Sequence, residues 1–95
     1  MTFDDYVVDI LMRDLVGHDH KPTSFLIYLW LSYEAARSRR ERVPVSYQTI
    51  ADSVGVSKSS AQVGVRWLLL RKLVEVKKSS LTAVPSYRVL RPWRD

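Results

Sequence analysis

The chain has 95 residues, enough for one compact domain, and its 46% hydrophobic residues are enough to form a core. The absence of cysteine excludes disulfides and thiolate chemistry, and it is compatible with the cytoplasm, where we expect the protein to be located. Charge is unevenly distributed: residues 1–20 carry five Asp against one Arg, whereas residues 21–95 carry fourteen Lys and Arg against five acidic residues. A basic region behind an acidic one indicates a polyanionic partner, with a merely basic surface as the alternative.

The longest apolar run, residues 25–31, is too short to cross a membrane, since a spanning helix needs about 20 apolar residues. The first residues are acidic and lack the basic start of a signal peptide. We therefore expect no membrane partner.

The first predicted element is an acidic helix over about residues 3–16, within an N-terminal helix and loop of residues 1–20. Thr2 is a suitable N-cap for it, with Asp5 in a position that resembles a capping box. Gly17 is expected to end it. The apolar residues that fall on one face of this helix are Phe3, Val7, Ile10, Leu11 and Leu15.

A second helix is predicted from Pro22 to about Arg40, in the core-helix segment 22–42. Its strongest apolar stripe consists of Leu26, Leu29, Trp30 and Tyr33. The rest of the helix is nearly as apolar, which indicates burial on several sides. We expect the first helix to cover one side and a second copy of the chain another. The expected homodimer uses the 22–40 helix and the N-terminal helix, with surplus apolar surface at Tyr28, Leu31 and Trp67.

Residues 46–71 have the pattern of two short helices joined by a tight turn. The third helix runs from about Tyr47 to Val54 with Ser46 as its cap, and the fourth runs from about Lys58 to Arg71. Gly55 permits the positive φ of the turn, Val56 fills the angle between the helices, and Ser57 caps the second of them. Small residues stand where the two helices must approach closely: Ala51, Ala61 and Gly64. This is the pattern of a helix-turn-helix.

A β-hairpin is predicted over residues 73–91. Residues 74–77 alternate apolar and polar, residues 86–90 are rich in strand formers, and the loop 78–85 has a basic tip. Residues 43–45 can add at most an edge strand. The expected fold class is mainly α with a small β-hairpin (α+β), in a single domain of residues 1–95.

The run from Ile50 to Ala61, IADSVGVSKSSA, resembles the winged helix-turn-helix of bacterial regulators, especially the GntR family. The similarity continues through Arg66, Leu68 and Leu73 into the hairpin and covers about residues 22–91. Stand-alone modules of this kind occur in phage and plasmid proteins. The resemblance implies a winged helix-turn-helix that binds double-stranded DNA, here with an additional N-terminal helix. In two respects the chain departs from the family: Lys72 stands where glycine is common, and no ligand-binding domain lies within the 95 residues.

A helical wheel of the fourth helix separates a core face from a face expected to lie in the major groove. The core face consists of Ala61, Gly64, Val65 and Leu68. The residues expected to approach base edges are Ser59, Gln62, Val63 and Arg66, with Lys58 in the first turn near a phosphate or a base. Arg66 suits guanine, Gln62 suits adenine, and Val63 suits the methyl group of thymine.

Phosphate contacts are expected at both helix starts and at the hairpin. Backbone N–H groups near Ser57 and Tyr47 can bind anions, with Gln48 and Thr49 adding hydrogen bonds. The hairpin cations expected on the adjacent backbone are Lys77, Lys78 and Arg88. Each of these residues also has a simpler explanation, as a solvated surface residue, an ion-pair partner or a charge that protects a hairpin edge.

Catalysis, a metal ion and a cofactor are not expected. His18 and His20 flank Asp19 without a third ligand, so a polar turn explains them better than a metal site. The serines near Lys58 lack an oxyanion hole and a pocket. The predicted function is that of a small transcriptional regulator. The alternatives are a replication or partition protein of a mobile element and a protein-interaction module that uses the acidic first helix and the aromatic second helix.

Overall fold

The computed structural model describes residues 4–94, which are mainly helical with a small antiparallel sheet. The expected α+β class is confirmed. The helices are an N-terminal helical segment at residues 5–18, α1 (Pro22–Ser38), α2 (Tyr47–Val54) and α3 (Lys58–Leu70). The strands are β1 (Val43–Pro44), β2 (Val74–Lys77) and β3 (Ser86–Val89). The predicted Thr2 cap and the predicted core residue Phe3 lie outside the described residues.

The N-terminal helical segment is wound more widely than an α-helix. Val7–Leu11 and Arg13–His18 have the hydrogen bonding of a π-helix, in which an N–H bonds the carbonyl five residues before it. The prediction that Gly17 ends this helix is wrong, because the helix continues to His18. The last bond of this kind joins the N–H of Asp19, just after the helix, to the carbonyl of Asp14 at 2.7 Å.

The wide turns also decide which residues of this segment reach the core. Val7, Leu11 and Leu15 are buried as predicted, whereas Ile10 is exposed. With more than four residues per turn, residues four apart share a face, but a residue three positions away is turned aside. The four-residue spacing of the buried residues therefore follows the observed winding.

Helix α1 buries a different face from the one predicted. Leu26 and Tyr33, from the predicted stripe, are exposed, and Leu29 and Trp30 are half-buried. The buried apolar residues of α1 are Phe25, Ile27, Tyr28 and Leu31. Packing against α3 selects this face, since Ile27 Cδ1 lies so close to Gly64 that a Cβ added there would be 2.7 Å away. The helix ends two residues earlier than predicted because Arg39 adopts a left-handed conformation with a φ of 55°.

The predicted turn between α2 and α3 is confirmed in its details. The Ser46 hydroxyl accepts the Thr49 N–H at 3.1 Å, and the Ser57 hydroxyl accepts the Ser60 N–H at 3.1 Å, so both helices have their expected N-caps. Gly55 has a φ of 87°, a left-handed conformation that glycine adopts without a steric penalty. Helix α3 ends at Leu70, one residue before the predicted end.

The exit from α3 also uses a left-handed residue, Lys72, with a φ of 58°. Its N–H bonds the carbonyl of Leu69 at 3.1 Å, and the next N–H, of Leu73, bonds the carbonyl of Leu68 at 2.9 Å. These bonds satisfy carbonyls at the end of α3 and turn the chain directly into β2.

The strands are arranged in the order β1-β3-β2, with both pairs antiparallel. Strand β1 is an edge strand that pairs Val43 with Tyr87, as expected for its length. The inner face of the sheet contributes Val43, Val74 and Tyr87 to the core. Helix α1 is attached to this sheet because the Tyr28 hydroxyl donates to the Leu90 carbonyl at 2.9 Å. The helices and the sheet thus share one core.

Candidate nucleic-acid interface

Helix α3 presents one buried and one exposed face. The predicted core residues Ala61, Gly64, Val65 and Leu68 are buried. On the opposite side, Ser59, Val63 and Arg66 are exposed, and Gln62 is half-buried. The structure therefore brings three of the four predicted base-reading residues onto a fully exposed face and leaves Gln62 at its edge.

This exposed face is more apolar than predicted. Val63 is exposed, and about two turns further along the helix Leu70 joins it with 69% of its surface in solvent. Both lie beside Arg66 around an open hollow of about 470 Å³. Among residues 4–94, no carboxylate lies within ion-pair distance of Arg66 or Lys58. The face thus combines a guanidinium free of local carboxylates with two exposed aliphatic side chains.

The start of α3 carries a cluster of hydroxyl groups. The Ser57 hydroxyl lies 3.2 Å from that of Ser59 and 2.9 Å from that of Ser60, in addition to its capping bond. Lys58 is exposed in the same turn. Hydroxyls and an ammonium group at a helix N-terminus provide several donors for a phosphate oxygen.

At the start of α2, the two predicted phosphate-binding side chains already have partners. Gln48 donates from Nε2 to Asp52 Oδ1 at 2.9 Å. The Thr49 hydroxyl accepts from the Ser46 hydroxyl at 3.1 Å, and its backbone N–H is used by the same cap. Both residues are exposed, so a phosphate at this position competes with these local bonds.

The three cations predicted to bind phosphate from the hairpin lie in two different surroundings. Lys77 and Lys78 are exposed at the base of the loop, where Lys78 Nζ donates to the Leu81 carbonyl at 3.4 Å. Arg88 lies further along β3, and its Nε is 3.2 Å from Glu41 Oε1. Its direct partner across the sheet is Glu75, which pairs with Arg42. Arg88 is therefore part of a charge network on the outer face of the sheet.

The turn of the hairpin contains no cation and exposes aliphatic side chains among hydroxyl residues, which corrects the expectation of a basic tip. Leu81 is 96% exposed and Val84 is 56% exposed, whereas both lysines stand before the turn. Lys77 is the last residue of β2 and Lys78 is the next residue, whereas the chain reverses direction three residues later, at Leu81.

Asp19 has a structural role that its sequence context does not predict. Its carboxylate is 5% exposed, accepts the Trp67 indole N–H at 2.9 Å and lies 3.3 Å from Arg71 Nε. Burial tends to raise the pKa of Asp19, but hydrogen bonds from His18 and Trp67 and the charge of Arg71 outweigh it and lower that pKa below 3.8. No local pattern reveals these contacts, because Trp67 lies 48 residues away along the chain.

Two of the three residues predicted to form surplus apolar surface, Tyr28 and Leu31, are not at the surface. Tyr28 and Leu31 are buried within the chain's own core and are not available to a second copy. The exposed apolar residues of α1 are instead Leu26 and Tyr33, which line a shallow apolar groove of about 310 Å³ together with Val54. Trp67 is half-buried against its own chain.

Two further features of the described residues concern metal binding and membrane insertion. Within residues 4–94, no three acidic or histidine side chains are grouped so that they would hold a metal ion. None of the helices in that range is both long enough and apolar enough to cross a membrane. In comparisons with known proteins, neither a family model nor a curated protein nor a solved structure matches this chain.

Proposed function

We propose that the protein is a winged helix-turn-helix domain that binds double-stranded DNA. The observation that carries this proposal is the contrast between the two sides of α3. One side is buried in the core, and the other exposes Ser59, Val63 and Arg66, with Lys58 exposed at the start of the helix. A helix supported in this way presents its outer side chains to the major groove with little loss of conformational freedom. The sheet order β1-β3-β2 and the hairpin directly after α3 fit the same fold.

The chemistry proposed for the outer face separates base reading from positioning. Arg66 offers two parallel donors to the O6 and N7 atoms of guanine, Val63 contacts a thymine methyl group, and Gln62 reaches adenine from the edge of the face. Ser57, Lys58, Lys77 and Lys78 bind phosphates. Arg88 contributes only if it leaves Glu41.

The proposed biological role is that of a small cytoplasmic transcriptional regulator. A second copy, docked through the groove at Leu26 and Tyr33, would allow two half-sites to be read. Control of replication or partition of a mobile element would use the same DNA chemistry.

The direct test is fluorescence anisotropy of a labelled random-sequence duplex over a series of salt concentrations. Wild-type protein is compared with Lys58→Ala/Arg66→Ala and with Arg37→Ala, all checked for folding by circular dichroism. Arg37 is a suitable control because its charge is already paired with Glu34 at 2.7 Å. We expect micromolar binding that weakens steeply with salt, a smaller salt slope in the double variant and little change in the control.

A folded wild-type protein that fails to bind duplex at low salt would contradict the proposal. The alternative is then a protein-interaction module. The observation that favours it is the apolar groove at Leu26, Tyr33 and Val54, which is exposed although it lies beside the core. Leu26→Ser/Tyr33→Ser would then abolish partner binding, while Arg66→Ala would leave it unchanged.

A further inference from the structure

The turn at the end of the hairpin presents one leucine to solvent. The Ser80 carbonyl accepts the Ala83 N–H at 3.3 Å, which closes a tight turn with Leu81 and Thr82 at its centre. Lys78 Nζ donates to the Leu81 carbonyl at 3.4 Å and attaches this turn to the base of the loop. The Leu81 side chain is 96% exposed. The core therefore makes no use of this leucine, which lies in the turn of the hairpin.

The residues around Leu81 make the turn narrow. Its neighbours on both sides are small: Ser79, Ser80, Thr82 and Ala83. A single branched aliphatic side chain thus projects from a backbone that has little bulk beside it. Such a shape fits a narrow cleft better than a flat surface, and the minor groove of B-form DNA is about 6 Å wide.

The charge of this part of the chain favours a polyanion over a protein or a neutral surface. Residues 76–94 contain five Lys and Arg and no acidic residue, and three of the five remain after Arg88 pairs with Glu41 and Arg94 with Asp4. Two of these cations, Lys77 and Lys78, immediately precede the turn and are exposed. Phosphates that flank a groove are therefore within reach of ammonium groups when the turn points into it.

We propose that Leu81 is a wedge that enters the minor groove of duplex DNA and partly unstacks one base step. This inference rests on the proposed DNA binding and adds to it a deformation of the ligand. Aliphatic side chains inserted between base pairs kink the duplex toward the major groove. Pyrimidine–purine steps unstack most easily, so the wedge prefers a TA or CA step and gives sequence preference without hydrogen bonds to bases.

The test uses the full chain and a short duplex with a fluorescent adenine analogue at a central TA step. A second duplex, of the same sequence, carries a donor and an acceptor dye at its two ends. Anisotropy first establishes the protein concentration that saturates each duplex. Analogue fluorescence then reports unstacking, and energy transfer reports bending. The proteins are wild type, Leu81→Ala, and Val84→Ala as the matched control, because Val84 is an exposed aliphatic residue of the same loop that has no part in the proposed wedge.

At saturation we expect wild type and Val84→Ala to raise the analogue fluorescence about twofold or more and to increase energy transfer between the ends. Leu81→Ala, at its own saturating concentration, should leave both signals close to those of free duplex. Equal signals from Leu81→Ala and wild type, or a wild type that binds without unstacking, would overturn the wedge while leaving DNA binding intact. A wild type that does not bind duplex at low salt overturns both proposals. Leu81 is then expected to insert into a pocket of a partner protein.

Discussion

Asp19 binds Trp67, which lies 48 residues further along the chain: its buried carboxylate accepts the indole N–H at 2.9 Å and lies 3.3 Å from Arg71 Nε. Lys21, two residues further on, lies over the same indole ring at 5.1 Å from its centroid. The loop between the N-terminal helical segment and α1 thus contacts the C-terminal end of α3 through Asp19 and Lys21. Because α3 is the proposed DNA-reading helix, this contact fixes its C-terminal half against the body of the protein.

Asp19→Asn should therefore destabilise the fold, by about 1–3 kcal/mol, because it removes the buried negative charge that strengthens the hydrogen bond from Trp67 and forms the ion pair with Arg71. Urea unfolding followed by tryptophan fluorescence measures this. Asp5→Asn, at an exposed acidic residue, is the control and should change little. Equal stability of the Asp19 variant and wild type would mean that the contact contributes nothing.

The stability should also depend on pH through the same residue. Since the pKa of Asp19 is lowered in the folded state, its contribution is fully present above the ordinary value of 3.8 and is lost as the pH falls through the folded pKa. Wild type should lose this part of its stability on acidification, and Asp19→Asn should lack it. Unfolding curves at neutral and acidic pH separate the two. An identical acid dependence in both proteins would contradict this assignment.

Lys72→Gly should stabilise the protein by about 1 kcal/mol, because a residue with a side chain pays a steric cost in the left-handed conformation that glycine avoids. Lys72→Ala is the matched control: it removes the same charge but keeps Cβ, so its stability should stay close to that of wild type. Thermal unfolding of the three proteins is the measurement. A similar gain in both variants would assign the effect to charge and not to backbone conformation.

Gly64 and Ile27 should be energetically coupled. A Cβ on Gly64 would lie 2.7 Å from Ile27 Cδ1 and 3.4 Å from Thr23 Cγ2, so Gly64→Ala forces the isoleucine to move. We expect a net loss of about 1 kcal/mol, since overpacking outweighs the gain in helix propensity. In an Ile27→Val background, which removes Cδ1, the same change should become stabilising. A double-mutant cycle in urea measures the coupling, and additive effects would show that the two residues do not interact.

The sequence by itself determined the elements whose signals are local. The caps at Ser46 and Ser57 and the left-handed turn at Gly55 each depend on atoms within four residues, so residue type and order are sufficient to predict them. The core face of α3 was predictable for a related reason. Small and apolar residues recur there at helical spacing, and the opposite side carries Ser59 and Arg66.

Tertiary structure alone decided the features that depend on distant partners. Helix α1 is apolar nearly all round, so its own pattern does not select a buried face; contact with Gly64 and Leu90 does. The burial of Asp19 depends on Trp67, far along the chain, and no spacing rule links them. Local hydrogen bonds and sterics are encoded within one turn, whereas the choice between equivalent apolar faces and the pairing of buried polar groups is made only when the elements pack together.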